Sequence, residues 1–411
     1  MANAAAGRVR SLFEGLLLVR KCAIARTNTT PSVRWSQYRT IHESKEHLPK
    51  LQPPGGTRRC DTARRALSTS SPARSVQQPG AETRDEPDTG KTTDDDIKQM
   101  FTDIVQELST TDNQLLKDIA SYYFDGQGKA VRPVITCLTA RAINSHTHPH
   151  RRFLLPSQRR VAMITEMIHT ASLVHDDVID ASDTRRGKAS VNKHWGQKRA
   201  IMAGDYILSV ASTMLARIRN DDVTLVLSQV LADLVQGEFM QLGSKENENE
   251  RFAHYLRKTF KKTASLIAYS CKAVAILGGA DDEIQEVAFQ YGRNVGMAFQ
   301  LMDDLLDFVS SSNLMGKPAA ADLRLGLATA PVLFACEKFP DLNPMIMRRF
   351  TEPGDVEKAY RWVMDSEGPR QTRMLAETHC AEAIRHIGQL KPSPEQRSLI
   401  RLTDTVLNRM K

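Results

Sequence analysis

Apolar residues recur at spacings of three and four along most of the chain after about residue 93. On a helix this spacing places them on one face, whereas the strict alternation typical of strands is scarce here. No proline interrupts residues 157–317, and helix-forming residues dominate that stretch. The pattern therefore predicts one all-α domain, built from about ten or more helices, over residues 93–411.

The first 92 residues differ in composition from the rest of the chain. Pro-Pro-Gly-Gly at 53–56 and a Ser-rich stretch at 68–75 are typical of a linker, and residues 11–20 have the pattern of a short amphipathic helix. Residues 1–80 carry 14 Lys and Arg but only 4 Asp and Glu, a net charge of +10, while the remainder of the chain carries −2. This predicts a mitochondrial transit peptide and linker over 1–92, and a location in the mitochondrial matrix. The alternative is an ordinary disordered basic tail.

The same counts argue against several classes of protein. The basic pI of 9.1 comes from the leader, so the slightly acidic remainder is unlike a nucleic-acid surface. The six cysteines are scattered without a Cys-x-x-Cys pair, which argues against a zinc site or a disulfide scaffold. No suitable Glu-x-x-His pairs indicate a di-iron bundle. No uninterrupted apolar run reaches about 18 residues, so we expect no transmembrane segment.

Two acidic pentads carry the main chemical signal: Asp176-Asp-Val-Ile-Asp180 and Asp303-Asp-Leu-Leu-Asp307. Each lies in an apolar stretch that is predicted to be helical, so its first and last aspartates share a face. Carboxylates in such surroundings are costly unless a cation compensates them. Mg²⁺ is suited to a pair of carboxylates completed by substrate phosphates. One pentad alone is more often a solvated acidic turn, but two in apolar helices indicate a metal site.

Basic side chains accompany the pentads. Two arginines follow Asp180 closely, which makes sense if a polyanion bridges them and the metal, because a guanidinium matches phosphate oxygens. A Gly-Gln-Gly-Lys-Ala-Val-Arg-Pro segment, a helical Lys-Thr pair and a histidine two turns before the first pentad complete the set. Each of these is weak by itself and is more often a solvated base or a structural residue. The candidate residues are Arg185, Arg186, Lys129, Arg132, Lys262, Thr263 and His169.

Taken in this order and spacing, the motifs resemble those of the trans-polyprenyl diphosphate synthase family. The resemblance spans about residues 126–331 and includes a Gly-Glu-x-x-Gln element at 237–241. Within the family the chain looks most like first subunits of mitochondrial all-trans-decaprenyl or solanesyl diphosphate synthases. This resemblance implies an isoprenoid synthase type helical bundle with a central apolar tunnel. It also implies an enzyme that adds isopentenyl diphosphate units to an allylic diphosphate, such as farnesyl diphosphate, to make the long ubiquinone side chain.

The resemblance also implies residue roles. Metal binding falls to the six pentad aspartates, Asp176, Asp177, Asp180, Asp303, Asp304 and Asp307, with Mg²⁺ as cofactor and the first and last of each pentad as the catalytic set. The allylic diphosphate would be contacted by Arg185, Lys262, Thr263 and Gln300, and isopentenyl diphosphate by Lys129, Arg132, His169 and Arg186. Ala171 and Ser172, five and four residues before Asp176, would leave the product tunnel open for a long chain; alternatively, they only allow close helix packing.

The chain departs from the family pattern after the second pentad. Leu327 stands where a lysine is expected in Gly326-Leu-Ala-Thr-Ala-Pro331, and Ala320 replaces a glycine, although Gly316, Lys317 and Asp322 are present. Together with this departure, the resemblance implies that the chain works with a second, degenerate synthase subunit as a hetero-oligomer, most simply a heterotetramer. Alternatively, Arg324 supplies the positive charge that is missing at Leu327. Two readings compete: a terpene cyclase, which usually has a different second metal motif, and a non-catalytic or partner-dependent regulatory subunit, which the intact pentads disfavour.

Overall fold

The fold is taken from a computed structural model of the full chain, which describes residues 93–126, 128–148, 153–243, 248, 250–309 and 320–408. The chain divides into two units, Met1–Glu86 and Pro87–Lys411, and every described residue belongs to the second. The predicted transit peptide and linker at 1–92 lie outside the described residues. The domain boundary and the targeting function therefore stay predictions.

The described part of the chain is helical apart from one small hairpin, so the all-α prediction is confirmed. The first half contains α1 (Thr93–Leu108), α2 (Gln114–Ser121), α3 (Val131–Thr147), α4 (Pro156–Ile179), α5 (Val191–Trp195), α6 (Gln197–Ala216), α7 (Asp221–Leu242) and α8 (Arg251–Thr259). The second half contains α9 (Ser265–Leu277), α10 (Asp282–Val309), α11 (Ala321–Arg324), α12 (Ala330–Ala335), α13 (Leu342–Met347), α14 (Asp355–Met364), α15 (Gly368–Ile387) and α16 (Pro394–Leu407).

The hairpin follows the first pentad. Strand β1 (Thr184–Arg185) pairs antiparallel with β2 (Lys188–Ala189), with Arg185 opposite Lys188. The two expected arginines are thus presented by a tight turn rather than by a helix end. Arg186 adopts a left-handed backbone with φ of 54°, a conformation that costs free energy in a non-glycine residue and is often found at functional sites.

Helix α9 lies at the centre of the domain. Its sequence is apolar on nearly every side, and residues from it are buried in both of the main hydrophobic clusters. A helix that is apolar all round needs neighbours all round, and α4 and α10 both pack against it. These are the helices that carry the two pentads, so burial of α9 holds the pentads on either side of one core.

Helix α7 is unusual because much of its apolar surface is uncovered. It is long and apolar enough to cross a membrane by length and composition alone, yet only 28% of its most apolar window is buried. Val235, Phe239 and Leu242 follow one another at helical spacing, and Phe239 is 72% exposed. The same helix also carries Glu238 and Gln241, whose side chains contact Lys262.

Candidate active site

The first pentad lies at the carboxyl end of α4, where Asp180 follows the last helical residue. The carboxylates of Asp176 and Asp180 accept no hydrogen bond and form no ion pair with any residue that the structure describes. Asp177 differs completely, because it is fully buried and both its oxygens are occupied. Tyr123 donates its hydroxyl hydrogen to Oδ2 at 3.0 Å, and Arg185 donates to Oδ1 from Nε at 2.9 Å and Nη2 at 2.6 Å.

The Asp176 carboxyl is held in an environment that disfavours its charge. Burial raises its pKa to about 6, the nearby Lys262 opposes that rise, and Glu238 and Asp180 reinforce it. A carboxylate that is buried among other acids lacks a full counter-charge. This is the electrostatic condition that a bound cation would satisfy.

The second pentad lies near the end of α10, and its second aspartate is again the buried one. Asp304 is buried and accepts from the Tyr255 hydroxyl at 2.5 Å and from Gln300 Nε2 at 2.8 Å. Asp307 accepts from the backbone N–H groups of Ala321 and Asp322, both at 3.0 Å, and so fixes the start of α11. Its neighbour Asp322 is half-buried near Asp304, Asp307 and Asp303, and desolvation followed by these charges raises its pKa to about 7.

The predicted Lys-Thr pair lies on a π-helical turn, Phe260–Ala264, between α8 and α9. Such turns are rare and often occur at functional sites, because the wider backbone re-aims side chains. Lys262 forms an ion pair with Glu238, and Thr263 donates to Gln300 Oε1 at 2.9 Å. Helix α7 approaches this turn closely at Gly237, where a Cβ atom would lie 2.7 Å from Lys262 Cγ.

A second cationic group surrounds Arg132 on the first turn of α3. Its Nη1 donates to His169 Nε2 at 3.0 Å, and Glu166, Asp303 and Arg186 are its charged neighbours. Burial, reinforced by the arginines, holds the pKa of His169 well below its usual range. The imidazole is therefore neutral and can accept this hydrogen bond while donating through its other nitrogen.

Arg186 reaches the same region from the hairpin. Its Nη1 atom would lie only 2.8 Å from a Cβ atom at position 128, so a side chain there would displace the guanidinium from its present position. Glycine at position 128 therefore lets Arg186 lie against the Gly-Gln-Gly-Lys segment. Lys129 is exposed, and it makes no hydrogen bond or ion pair with the described residues. The structure thus brings Arg132, His169 and Arg186 together and leaves Lys129 at the rim.

Several residues near the site were missed from the sequence. Glu166 lies one turn before His169, and burial raises its pKa to about 6 against the opposing charges of Arg132 and Arg186. An acid inside an otherwise apolar helix segment was the available signal. Tyr255 and Lys258 on α8 carried no signal, since their importance depends on how α8 docks near Asp304.

Ala171 and Ser172 occupy different environments. Ala171 has no exposed surface and belongs to the core cluster of α4 and α6. Ser172 is half-buried, lies one turn before Asp176 on the same face, and donates to the His169 carbonyl at 2.8 Å. Ser172 is therefore the better placed of the two to face a bound substrate. Neither the tunnel nor the chain-length role is tested by this arrangement.

The departures after the second pentad have structural consequences. Ala320 has φ of 59°, in the left-handed region, which explains why the family pattern has glycine there. Leu327 lines a cavity with Tyr255 and Lys258. Arg324, the expected substitute for the missing lysine, is exposed and is not among the residues lining that cavity. Gly316 and Lys317 lie outside the described residues.

The site was also tested for its fit to a metal ion. Within the described ranges, no three carboxylate, imidazole or thiolate groups converge closely enough to hold one by themselves. A metal that takes one or two carboxylates and completes its shell with water and substrate phosphates does not need such a cage, and Mg²⁺ behaves in this way. The unpartnered oxygens of Asp176 and Asp180 fit that requirement.

Comparison with known proteins agrees with this geometry. Residues 113–363 match the polyprenyl synthetase family. The chain belongs to this family. It is 61% identical to the human all trans-polyprenyl-diphosphate synthase PDSS1 over 77% of this chain and 76% of that protein. It is 42% identical to the decaprenyl-diphosphate synthase subunit 1 of Schizosaccharomyces pombe over 75% and 88%, respectively.

A solved structure extends the comparison to three dimensions. The polyprenyl synthase of Caulobacter crescentus, complexed with calcium and isoprenyl diphosphate, superposes with a TM-score of 0.69 at 28% identity, covering 77% of this chain and 96% of that one. Matched relatives from rice and Yarrowia lipolytica are named as mitochondrial enzymes. The predictions of an isoprenoid synthase fold, of a trans-prenyltransferase and of a long all-trans polyprenyl diphosphate product are confirmed. The terpene cyclase reading is set aside.

Proposed function

We propose that this site holds an allylic diphosphate and isopentenyl diphosphate side by side and joins them repeatedly into a decaprenyl or solanesyl diphosphate. One observation carries the assignment. Asp176 and Asp180 present unpartnered carboxylates beside Lys262, while Arg132, next to the neutral His169, lies near Asp303 of the other pentad. Two acidic groups with cations beside them are suited to two diphosphates and to the metal ions that would neutralise them.

The outer aspartates of each pentad, Asp176, Asp180, Asp303 and Asp307, are the proposed metal-binding set. Bound Mg²⁺ would supply charge neutralisation for the leaving diphosphate. Asp177 and Asp304 were included in the expected set, but we assign them a positioning role because both are fully buried and each accepts a hydrogen bond from a buried tyrosine. Burial raises the pKa of both tyrosines, so their hydroxyls stay protonated as donors.

The remaining side chains bind and orient the two substrates. Lys262 and Thr263, on the π-helical turn, and Gln300 would contact the allylic diphosphate. Arg185 has guanidinium N–H groups left over after binding Asp177, so it can contribute to the same contact. The cations of the Arg132–Arg186 group, with Lys129 at the rim, would hold isopentenyl diphosphate. Fixing both substrates in this way removes most of the entropic cost of bringing the reacting carbons together.

The reaction then needs no nucleophilic side chain. The C–O bond of the allylic diphosphate breaks, and the cations and dipoles of the site stabilise the charge that develops on the departing oxygens. The double bond of isopentenyl diphosphate attacks the allylic carbocation and forms the new C–C bond. A proton is then lost to the released diphosphate, which leaves an allylic diphosphate that is five carbons longer.

The experiment that tests this function is incubation of the purified full chain, with and without a partner subunit, with Mg²⁺, farnesyl diphosphate and labelled isopentenyl diphosphate, followed by chain-length analysis. Long all-trans products that vanish when a chelator removes the metal are expected. Incorporation that stops after one addition, or that persists with the chelator, would contradict the proposal.

We also propose that a second, degenerate synthase subunit covers the exposed apolar stripe of α7, defined by Val235, Phe239 and Leu242. The stripe adjoins Glu238, which pairs with Lys262, so the partner would steady the acidic side of the site. The absent lysine at Leu327 supports the need for a partner. The matrix location and the ubiquinone role belong to the same proposal, which the mitochondrial names of the relatives support.

The interface is tested by measuring mass and activity of Phe239→Glu against Met364→Glu, an exposed apolar residue on α14 that serves as the control. Alone, the chain should be a weak oligomer with low turnover, and a partner subunit should raise both. Only Phe239→Glu should block that gain. A stable, fully active homodimer of the chain alone would contradict the requirement for a second subunit.

A further inference from the structure

The cavity beside Leu327 is rich in positive charge. Its described lining includes Arg251, His254, Lys258 and Arg349 together with Tyr255 and Leu327, and contains no carboxylate. Tyr255 connects this cavity to the second pentad, since its hydroxyl donates to Asp304. A cationic cavity next to an aspartate cluster is a place where an anion with bound metal can be held at both ends.

Most of the basic side chains that line this cavity have hydrogen-bond partners. Arg251 donates to the side-chain oxygen of Asn343 at 2.6 Å, Arg349 donates to the Leu242 carbonyl at 2.6 Å, and His254 lies 3.2 Å from the Met240 carbonyl. Lys258 is different. Among the described residues its ammonium forms no hydrogen bond or ion pair, and it lies 5.5 Å from the centre of the Tyr255 ring.

Lys258 also has the right charged neighbours. Asp304 and Asp322 of the second acidic group are close enough to favour its charged form, while Lys262 and burial disfavour it. It therefore lies within electrostatic range of both the second acidic group and Lys262. It also lines the same cavity as Leu327, the position where the family pattern has a lysine.

We propose that Lys258 is a substrate-binding residue that supplies, from α8, the diphosphate-binding cation that the chain lacks at Leu327. This inference rests on the proposed function, because it deepens the account of the same diphosphate site. Its physical basis is that the lysine side chain is long and flexible, so its ammonium can reach the same diphosphate from position 258 or from position 327. The competing explanation is that Lys258 only neutralises Asp304 and Asp322 and never contacts substrate.

The test uses the full chain and four variants: Lys258→Met, Arg257→Met, Leu327→Lys, and the combination of Lys258→Met with Leu327→Lys. Arg257 is the matched control, since it is the adjacent base on α8 and is exposed. Two quantities are measured for each: the affinity for farnesyl thiolodiphosphate, a non-reactive allylic diphosphate, in the presence of Mg²⁺, and kcat/KM for elongation. The melting temperature without ligand is measured alongside.

The expected result is a loss of about 10- to 100-fold in both affinity and kcat/KM for Lys258→Met, the scale of removing one charged donor from a transition-state site. Arg257→Met should resemble the wild type. Moving the cation by adding Leu327→Lys to Lys258→Met should recover most of the loss.

Two outcomes would overturn the inference. If Lys258→Met lowers the melting temperature but leaves the analogue affinity unchanged, Lys258 is a structural counter-charge. If affinity falls but Leu327→Lys restores none of it, the two positions do not serve one site. Absence of any elongation by the wild type with its partner subunit present would instead count against the proposed function, so the two failures are distinguishable.

Discussion

Asp176 and Asp177 are adjacent acids in one pentad, yet the structure predicts that neutralising them changes stability in opposite directions. Asp176→Asn removes a half-buried carboxylate that has no partner among the described residues. Asp177→Asn removes the acceptor of Tyr123 and of two N–H groups of Arg185. Both substitutions are isosteric, so differences in packing are small and the comparison isolates the charge.

The magnitude for Asp176 follows from its pKa. Burial raises that pKa from 3.8 to about 6, so between these values the folded state binds more protons than the unfolded state. Stability therefore falls as the pH rises through this window. At pH 7 the ionised carboxylate costs at most about 3 kcal/mol, and about 1–2 kcal/mol once partial solvent screening is allowed for. Asp176→Asn should recover this amount, which corresponds to a gain of about 2–5 °C in melting temperature.

The magnitude for Asp177 has the opposite sign. Removing its charge leaves the Arg185 guanidinium half-buried beside a weaker amide acceptor. Breaking one side of such a pair costs about 2–4 kcal/mol. Asp177→Asn should therefore lower the melting temperature by several degrees, about as much as Asp176→Asn raises it or more.

The assay is thermal unfolding of the full chain without metal or diphosphate, at pH 7 and again at pH 4.5. The gain of Asp176→Asn should shrink at the lower pH, because the wild-type carboxyl is then largely protonated. Elongation activity should be lost in Asp176→Asn despite its higher stability. If both variants shift in the same direction at pH 7, the division of roles within the pentad is wrong.

Three further predictions follow from the same site. Asp303→Ala should lower turnover by at least about 10²-fold, measured with saturating Mg²⁺; near-normal turnover would contradict metal-dependent prenyl transfer. Ser172→Phe should shorten the product toward three to five units in chain-length analysis while the first condensation stays similar, whereas Ala171→Phe should also destabilise the close-packed core; unchanged length in both would place the tunnel elsewhere. Residues 1–80 fused to a fluorescent reporter should carry it into mitochondria, and a diffuse cytosolic reporter would refute the targeting function.

The fold class and the two pentads could be predicted from sequence because both depend on short-range spacing. Helical periodicity and the absence of proline set the class, and aspartates four apart on a helix share a face. The end of α9 has a local cause of the same kind, since Gly278 and Gly279 follow Leu277 and Gly279 has φ of 71°. Each of these signals lies within a few residues of the feature that it predicts.

The hairpin and the α8 residues could not be predicted, for the opposite reason. Nothing local distinguishes a helix end after Asp180 from a turn that brings Arg186 against Gly128, 58 residues earlier in the sequence. Lys258 is one of many helical lysines, and its significance depends on Tyr255 and Asp304 meeting across 49 residues. The family resemblance implied the roles of most site residues. For the missing lysine, however, the sequence suggested Arg324 as the replacement, whereas the structure favours Lys258.

The two pentads share a construction that neither motif reveals alone. In each, the second aspartate is buried and accepts from a tyrosine of another element, Tyr123 for Asp177 and Tyr255 for Asp304. Each also accepts from a residue assigned to the allylic diphosphate, Arg185 in one case and Gln300 in the other. The second aspartate of each pentad therefore links the metal-binding helix to a substrate-binding side chain.

This link has an energetic consequence. Because each of these second aspartates accepts from two side chains, it anchors the end of its helix in one rotational setting. In the first pentad this leaves Asp176 and Asp180 without a hydrogen-bond or ion-pair partner among the described residues, whereas Asp307 of the second pentad accepts from the backbone N–H groups of Ala321 and Asp322. The free energy lost by holding the charges of Asp176 and Asp180 in place is offset by the bonds that anchor Asp177 beside them. Two consecutive aspartates in each pentad thus serve separate purposes, one for fixing the helix and one for holding the charge that catalysis requires.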